Sequence, residues 1–193
     1  GRLLGLALAS MSDSIAALVV EITLDRADGT VRARRVWTAL DAGTIAHPDA
    51  VRAQMEGGVV MGLGPALYEQ VDVVAGQAQQ RNFDRYRPPR LSQCPEEIHV
   101  QLLDSELPPC GVGEIGVVTI APAIANAVAS ATGRRLYALP MSPERVHAAL
   151  ASALVLVTVP ATGATPTELQ AAYQAQAGMA ASATRGQAFF NAG

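Results

Sequence analysis

The amino-acid sequence predicts an α+β fold in which mixed β-sheets pack against helices. Residues 14–24 and 30–40 are rich in β-branched side chains and are separated by a turn ending at Gly29, which predicts two strands. Helical periodicity at residues 48–67 and an Ala-rich segment at residues 117–132 predict two helices. Half of the residues are hydrophobic, so the chain is expected to bury a core.

The two predicted strands most simply form a β-hairpin. On strict alternation, one face of the second strand carries Val31, Ala33, Arg35 and Trp37, and the other carries Arg32, Arg34, Val36 and Thr38. Because Arg35 interrupts the more apolar face, the pattern leaves open which face is buried. Residues 1–13 have no clear period and form either a short strand or a linker.

The helix predicted at residues 48–67 opens with Pro48 and Asp49, since proline suits a first helical turn and an acid is stabilised near a helix N-terminus. Four glycines lie inside it, at positions 57, 58, 62 and 64. Each costs about 1 kcal/mol relative to alanine in a helix interior. They predict close packing against backbone or ligand, or a break in the helix, and tight packing on the sheet is the simpler interpretation.

Smaller elements are expected in the middle of the chain. A second hairpin is predicted around Ala75-Gly76, and a strand at residues 97–103. The Arg-rich segment at residues 82–90 is interpreted as a loop whose arginines pair with three acids, Asp84, Glu96 and Glu97.

The Ala-rich helix is expected to end at Gly133 as its C-cap, and Pro122 fits its first turn if the helix begins near that residue. A final amphipathic helix opens at residue 142 and continues to about residue 153. The composition then changes to an Ala/Thr/Gly/Pro-rich linker. We therefore predict one domain at residues 1–153 and a linker with a tail at residues 154–193, and interpret the chain as a piece of a longer protein.

Composition excludes several classes of function. The net charge of −3 argues against a nucleic-acid surface. The two cysteines, Cys94 and Cys110, are too few and too far apart for a zinc or iron–sulfur site, so no metal ligands are predicted. The longest apolar run, residues 148–160, is too short to span a bilayer.

The loop at residues 108–116 is the strongest candidate for a functional site. It carries two prolines, three glycines and one carboxylate, Glu114, and no other acid occurs before Glu144. A carboxylate among apolar side chains loses hydration, which favours its protonated form and prepares it to act as a general base. The alternative is a solvated loop glutamate stabilised by the dipole of the following helix.

The same loop contains Gly111, Gly113 and Gly116 with the spacing of a dinucleotide-binding fingerprint. That fingerprint must follow a strand at once and needs an acid roughly 20 residues later. Two prolines intervene here, and the next acid is Glu144. A nicotinamide-cofactor site is therefore not predicted.

Several motifs, taken together and in order, resemble one family. The sequence is similar to the molybdenum-binding subunit of the xanthine dehydrogenase and aldehyde oxidase family, and especially to its isoquinoline, nicotinate and aldehyde dehydrogenase branch. The resemblance covers about residues 1–141 and only the C-terminal part of such a subunit. The motifs that carry it are Asp41-Ala42-Gly43, His47-Pro48, Gln54-Met55-Glu56-Gly57-Gly58, Gly111-Val112-Gly113-Glu114, Pro122-Ala123-Ile124-Ala125-Asn126 and Ala131-Thr132-Gly133-Arg134.

The resemblance implies a hydroxylase whose oxygen comes from water. It implies that Glu114 is the general base and that Gln54 hydrogen-bonds the molybdenum–pterin centre. The backbone of Gly111, Val112 and Gly113 would bind the cofactor beside it. Cys110 departs from the glycine that is common in this branch, and a neutral buried thiol is the ordinary outcome at such a position.

The resemblance also implies cofactors and partners. These are a molybdenum–molybdopterin cofactor in its cytosine dinucleotide form, 2Fe-2S clusters on a partner iron–sulfur subunit, the remainder of the molybdenum subunit, and a small-molecule substrate that is an N-heteroaromatic compound or an aldehyde. The competing hypothesis is a non-catalytic scaffold or assembly domain of the same fold. Glu114 argues against it, because a degenerate copy would be expected to lose this residue.

The tail carries a separate resemblance. Residues 185–191 are similar to the opening helix of a c-type cytochrome domain, which would imply haem c and a cytochrome c partner in the parent protein. An ordinary amphipathic tail is the alternative. The sequence leaves the location open between the cytoplasm and, if a cytochrome domain follows, a membrane-associated or periplasmic location.

Overall fold

A computed structural model describes residues 2–157 of the chain, with side chains described to residue 151. A four-stranded sheet contains β1 (Leu3–Met11), β2 (Ser14–Leu24), β3 (Val31–Asp41) and β6 (Glu97–Leu102) in that order. β1, β2 and β3 are antiparallel neighbours, whereas β6 is parallel to β3. The sheet is therefore mixed, as predicted, and residues 3–11 form a full strand of it.

Three helices and a small hairpin complete the described part. α1 (Pro48–Leu63) continues into a π-helical turn at Gly64–Tyr68, so the predicted helix is confirmed almost to its expected end. The predicted second hairpin consists of β4 (Val73–Val74) and β5 (Gln77–Ala78). α2 spans Ile115–Thr132 and α3 spans Pro143–Val157. The α+β class predicted from the sequence is confirmed.

A β-bulge in β3 shifts the alternation of buried and outward-facing residues by one position. Glu21 pairs with Arg35, but the next residue of β2, Ile22, pairs with Ala33, so Arg34 is the extra residue. Strict alternation was therefore the wrong description of β3. The side chains that point into the core lie on both sides of the bulge, and they are Val31, Ala33, Val36, Thr38 and Leu40.

α1 and α2 approach each other through glycines. A methyl group on Gly58 would lie 3.2 Å from the Cα of Gly116, and one on Gly62 would lie 2.5 Å from both the carbonyl oxygen of Val117 and a methyl of Ile120. Gly57, on another side of α1, has open space where a Cβ would stand. The expected close packing is present, but the partner of these glycines is the second helix and not the sheet.

α2 is the central helix of the core and packs on β1 and β2. It begins at Ile115, so Pro122 lies inside the helix and not in its first turn, and it ends at Gly133, whose φ of 72° is the expected C-cap conformation. Within residues 2–157, α2 is the helix long and apolar enough to cross a membrane by length and composition. Such helices are also typical of protein cores, which is the position it takes here.

The outward face of the sheet is apolar and exposed. Leu4, Leu6 and Leu8 of β1 are 46%, 58% and 69% exposed, and Ile15 at the start of β2 is 49% exposed. Glu21 on the same face forms ion pairs with Arg2 and Arg35. A row of exposed leucines on an ordered strand marks a surface suited to contact with other polypeptide.

The acids near residue 97 have other partners than the Arg-rich loop. Glu96 pairs with Arg34 on β3 at 2.6 Å, and Glu97 contacts His99 at 3.0 Å. Of the expected pairings, only Arg85 with Asp84 is present among residues 2–151, at 4.0 Å. Residues 158–193 lie outside the described residues, so the domain boundary at residue 153 and the assignment of the tail stay predictions.

Candidate functional site

The loop that precedes α2 is held by backbone hydrogen bonds to two turns from the first part of the chain. The N–H of Thr44 donates to the carbonyl of Leu107 at 2.8 Å, and the N–H of Cys110 donates to the carbonyl of Ala42 at 2.9 Å. The next residue, Gly111, donates to the carbonyl of Ser12 at 3.2 Å. Because these bonds reach both turns, the loop is a strip of backbone fixed between them.

This strip forms one wall of a cleft of about 550 Å³, and the start of α1 forms the other. Three of the predicted site residues, Gln54, Val112 and Gly113, line the cleft, and Cys110 lies beside them. The remaining wall is mostly apolar and comes from residues 42–51. A cleft with apolar walls and a few convergent polar groups is the usual form of a small-molecule site.

Gln54 joins α1 to the loop. Its side-chain amide donates from Nε2 to the carbonyl oxygen of Gly113 at 2.6 Å. A carbonyl oxygen can only accept, so the amide nitrogen must face Gly113, and Oε1 faces away from it. The two residues that the sequence analysis assigned to cofactor binding from motifs 59 positions apart are thus in direct contact.

Glu114 lies at the end of the loop as the residue that caps α2. Its backbone has φ −127° and ψ −8°, and its side chain makes no capping hydrogen bond. The carboxylate is exposed and has no hydrogen bond or ion pair within residues 2–157. The expectation that apolar side chains surround and dehydrate Glu114 is wrong for this part of the protein. The structure matches the alternative, a solvated glutamate at the N-terminus of the following helix.

Gly111 is exposed but does not line the cleft. Both its backbone groups are engaged, because its N–H donates to the carbonyl of Ser12 and its carbonyl accepts from the hydroxyl of Ser14 at 2.7 Å. Gly111 therefore anchors the loop to the turn between β1 and β2, and the next residue, Val112, lines the cleft.

His47 is a site residue that sequence reasoning missed. It is the N-cap of α1, and its Nδ1 accepts from the backbone N–H of Ala50 at 3.1 Å. The ring proton is therefore on Nε2 in the neutral form, and the ring also lines the cleft. The sequence contained a signal, because Pro48 and Asp49 open a helix and the preceding residue must cap it, but histidine is not a usual N-cap.

Comparisons with known proteins identify relatives of this chain. Residues 9–95 match the family model of a molybdopterin cofactor-binding domain. The chain is 46% identical over 143 residues to the beta subunit of isoquinoline 1-oxidoreductase from Brevundimonas diminuta, which covers 74% of this chain and 18% of that protein. It is 36% identical to a nicotinate dehydrogenase subunit from Pseudomonas putida, over 70% of this chain and 11% of that protein.

A solved structure shows the same arrangement of elements. The aldehyde oxidoreductase of Desulfovibrio gigas superposes with a TM-score of 0.61 and 26% identity, over 72% of this chain and 15% of that one. The chain thus spans less than a fifth of the length of these relatives. The family rests on the sequence matches over that span. The chain belongs to the xanthine dehydrogenase and aldehyde oxidase family of molybdenum-binding subunits.

Proposed function

We propose that this chain forms part of a molybdenum hydroxylase that oxidises an N-heteroaromatic compound or an aldehyde with oxygen taken from water. The observation that carries the proposal is the exposed carboxylate of Glu114 without a partner in the described chain, three residues after a backbone strip fixed on both sides. The relatives named for isoquinoline, nicotinate and aldehyde substrates support the two substrate classes.

The residues at the cleft fit a molybdenum–molybdopterin cofactor. Gln54 presents its Oε1 and its second amide hydrogen, and a Cβ on Gly113 would meet open space, so a ligand can approach this backbone closely. No group of three His, Cys, Asp or Glu side chains within residues 2–157 is arranged to hold a metal ion. We therefore propose that Gln54, Val112 and Gly113 contact the cofactor's organic and oxo groups, while Gly111 anchors the loop that carries Val112 and Gly113.

When bound, this cofactor supplies the two-electron redox chemistry of the hydroxylation. The contribution of this chain is a proton acceptor and a way to hold it in position. Glu114 takes the proton of the water-derived nucleophile on a carboxylate oxygen, which increases the nucleophile's reactivity. Ile45 and Ala46 contribute apolar side chains to the wall of the cleft.

The finer assignments follow from the same proposal. We propose the cytosine dinucleotide form of the cofactor and 2Fe-2S clusters on a partner subunit as the first electron acceptors. A haem c or cytochrome partner depends on residues 185–191, which lie outside the described residues. A non-catalytic scaffold of the same fold is the competing outcome of the experiments below.

We also propose that the exposed leucines of β1 are covered by another segment of the same molybdenum subunit. The relatives are more than five times longer than the aligned part of this chain, so most of their polypeptide lies outside the described fold. The outward face is apolar, and its acid, Glu21, is already paired with two arginines. An apolar surface of the same subunit is the complementary occupant.

Leu6→Asp tests this surface in the complete subunit. Burying an unpaired carboxylate is expected to lower the free energy of unfolding by about 3 kcal/mol or more. Leu6→Met at the same position keeps an apolar side chain and is the matched control, with an expected change within about 1.5 kcal/mol. Calorimetric unfolding of both variants measures the difference. Equal stability of the two variants would mean that Leu6 faces solvent in the complete subunit.

The hydroxylase activity itself is tested with the purified holoenzyme that contains this chain. Molybdenum analysis is combined with oxidation of an N-heteroaromatic compound and of an aldehyde in ¹⁸O-labelled water. We expect stoichiometric molybdenum and incorporation of ¹⁸O into the product of one substrate class. A protein without molybdenum that oxidises neither class would support the scaffold instead.

A further inference from the structure

We infer that Ser14 is a positioning residue for Glu114, and that it acts by holding the peptide backbone of Gly111. The inference rests on the proposed role of Glu114 as general base. Ser14 is distant from the loop in sequence, because it is the first residue of β2 and precedes Gly111 by 97 positions.

The contact between Ser14 and the loop is short and partly buried. The hydroxyl of Ser14 donates to the carbonyl oxygen of Gly111 at 2.7 Å, and Ser14 is fully buried. The N–H of the same glycine donates to the carbonyl of Ser12 at 3.2 Å. Both hydrogen-bonding groups of Gly111 are therefore held by the tip of the β1–β2 hairpin.

The hairpin tip is itself rigid. Ser12 and Asp13 have φ values of 50° and 64°, which is the left-handed pair of a two-residue hairpin turn, and Met11 and Ser14 pair directly on either side. A Cβ on Gly111 would lie 2.8 Å from the Cβ of Ser12, so only glycine allows the loop to approach this closely. The position of the Ser14 hydroxyl is thus set by the register of the sheet.

The constraint continues along the loop to the carboxylate. After Gly111, Val112 packs on the buried cluster that contains Met55 and Ile115, and the carbonyl of Gly113 accepts from Gln54. Glu114 follows immediately, and its own side chain has no partner in the described chain to hold it. The backbone that precedes Glu114 is therefore what determines where its carboxylate stands.

Loss of the Ser14 hydroxyl removes the one side-chain donor to the Gly111 carbonyl that is observed among residues 2–151. The loop then gains freedom on the hairpin side, and the carboxylate spends less time in its reactive position. A displacement of about 1 Å at a reacting group can lower a rate by about a hundredfold. The expected effect is on the chemical step and not on substrate affinity.

Ser14→Ala in the complete holoenzyme tests the inference. We expect kcat to fall about tenfold, with unchanged molybdenum content and an unchanged KM. Ser10→Ala is the matched control, because Ser10 lies on the same hairpin and its hydroxyl makes no hydrogen bond to the loop among residues 2–151, and it is expected to leave kcat unchanged. A purely structural role of Ser14 would reduce molybdenum content or the yield of folded enzyme.

A double-mutant cycle with Glu114→Gln separates the two proposals. If Ser14 acts through Glu114, Ser14→Ala changes the residual rate of the Glu114→Gln enzyme by less than about twofold. The same tenfold loss in both backgrounds would overturn the inference. A wild-type rate in Ser14→Ala, together with an inactive Glu114→Gln enzyme, would overturn the inference alone. A fully active Glu114→Gln enzyme would overturn the proposed base, and the positioning role with it.

Discussion

Glu114→Gln is expected to lower kcat of the holoenzyme by about 10²–10⁴-fold, the range for loss of a general base. Glutamine has nearly the same shape as glutamate but cannot accept a proton as a carboxylate does. Because the side chain makes no hydrogen bond or ion pair within residues 2–157, the change removes no structural contact there. Molybdenum content and thermal stability should therefore stay at wild-type values, and steady-state kinetics on one preparation measure the effect.

Glu106→Gln is the matched control for this experiment. Glu106 is an exposed carboxylate in the same loop, eight positions earlier, and it does not line the cleft. The same neutralisation of charge is expected to leave kcat unchanged there. A Glu114→Gln enzyme with full molybdenum and a wild-type rate would contradict the general-base role. Equal losses in the two variants would indicate a general effect of loop charge.

Gly62→Ala is expected to destabilise the protein by about 1–3 kcal/mol, because the new methyl would overlap the backbone of Val117 and the side chain of Ile120. Gly57→Ala in the same helix is expected to do the opposite. A Cβ on Gly57 meets nothing within 4 Å, so the helix propensity of alanine should raise stability by about 1 kcal/mol. The two variants make the same chemical change, but the expected changes in stability have opposite signs.

Calorimetric unfolding of the complete subunit measures both glycine variants. Since α1 carries Gln54 and α2 begins beside Glu114, separating these helices should also weaken the contact between Gln54 and Gly113. We therefore expect reduced molybdenum content in Gly62→Ala and a normal content in Gly57→Ala. Destabilisation of both variants by the same amount would show that helix propensity and not interhelical distance controls these positions.

Much of the fold was predictable because local patterns determine it. The β2–β3 hairpin follows from two β-branched runs around a glycine turn, and the end of α2 follows from Gly133. The parallel pairing of β3 with β6 was not predictable, since it joins residues about sixty positions apart without a local signal. The bulge at Arg34 was not predicted either, although the interrupted alternation at Arg35 was a sequence signal of it.

For the candidate site, the sequence motifs pointed to residues that the fold brings together, whereas the predicted surroundings of Glu114 differ from the structure. Gln54, Val112 and Gly113 were assigned through motif resemblance, and they line one cleft. The prediction about the surroundings of Glu114 was wrong because its apolar neighbours in sequence point into the core. Ile115 is buried at the start of α2, whereas the capping position before it faces solvent. Neighbours along a chain report the polarity of a site only when they share its face.

The long separation between Ser14 and Gly111 has a consequence for how the protein folds. A contact that spans 97 residues closes a large loop, and its entropic cost is met only after other contacts have shortened the chain. The hairpin of β1 and β2 and the helices are local and can form early, whereas the cleft depends on β6 returning beside β3. We therefore expect the cleft to become ordered late in folding, and a nascent chain released before residue 111 would lack both the cleft and α2, the central helix of the core.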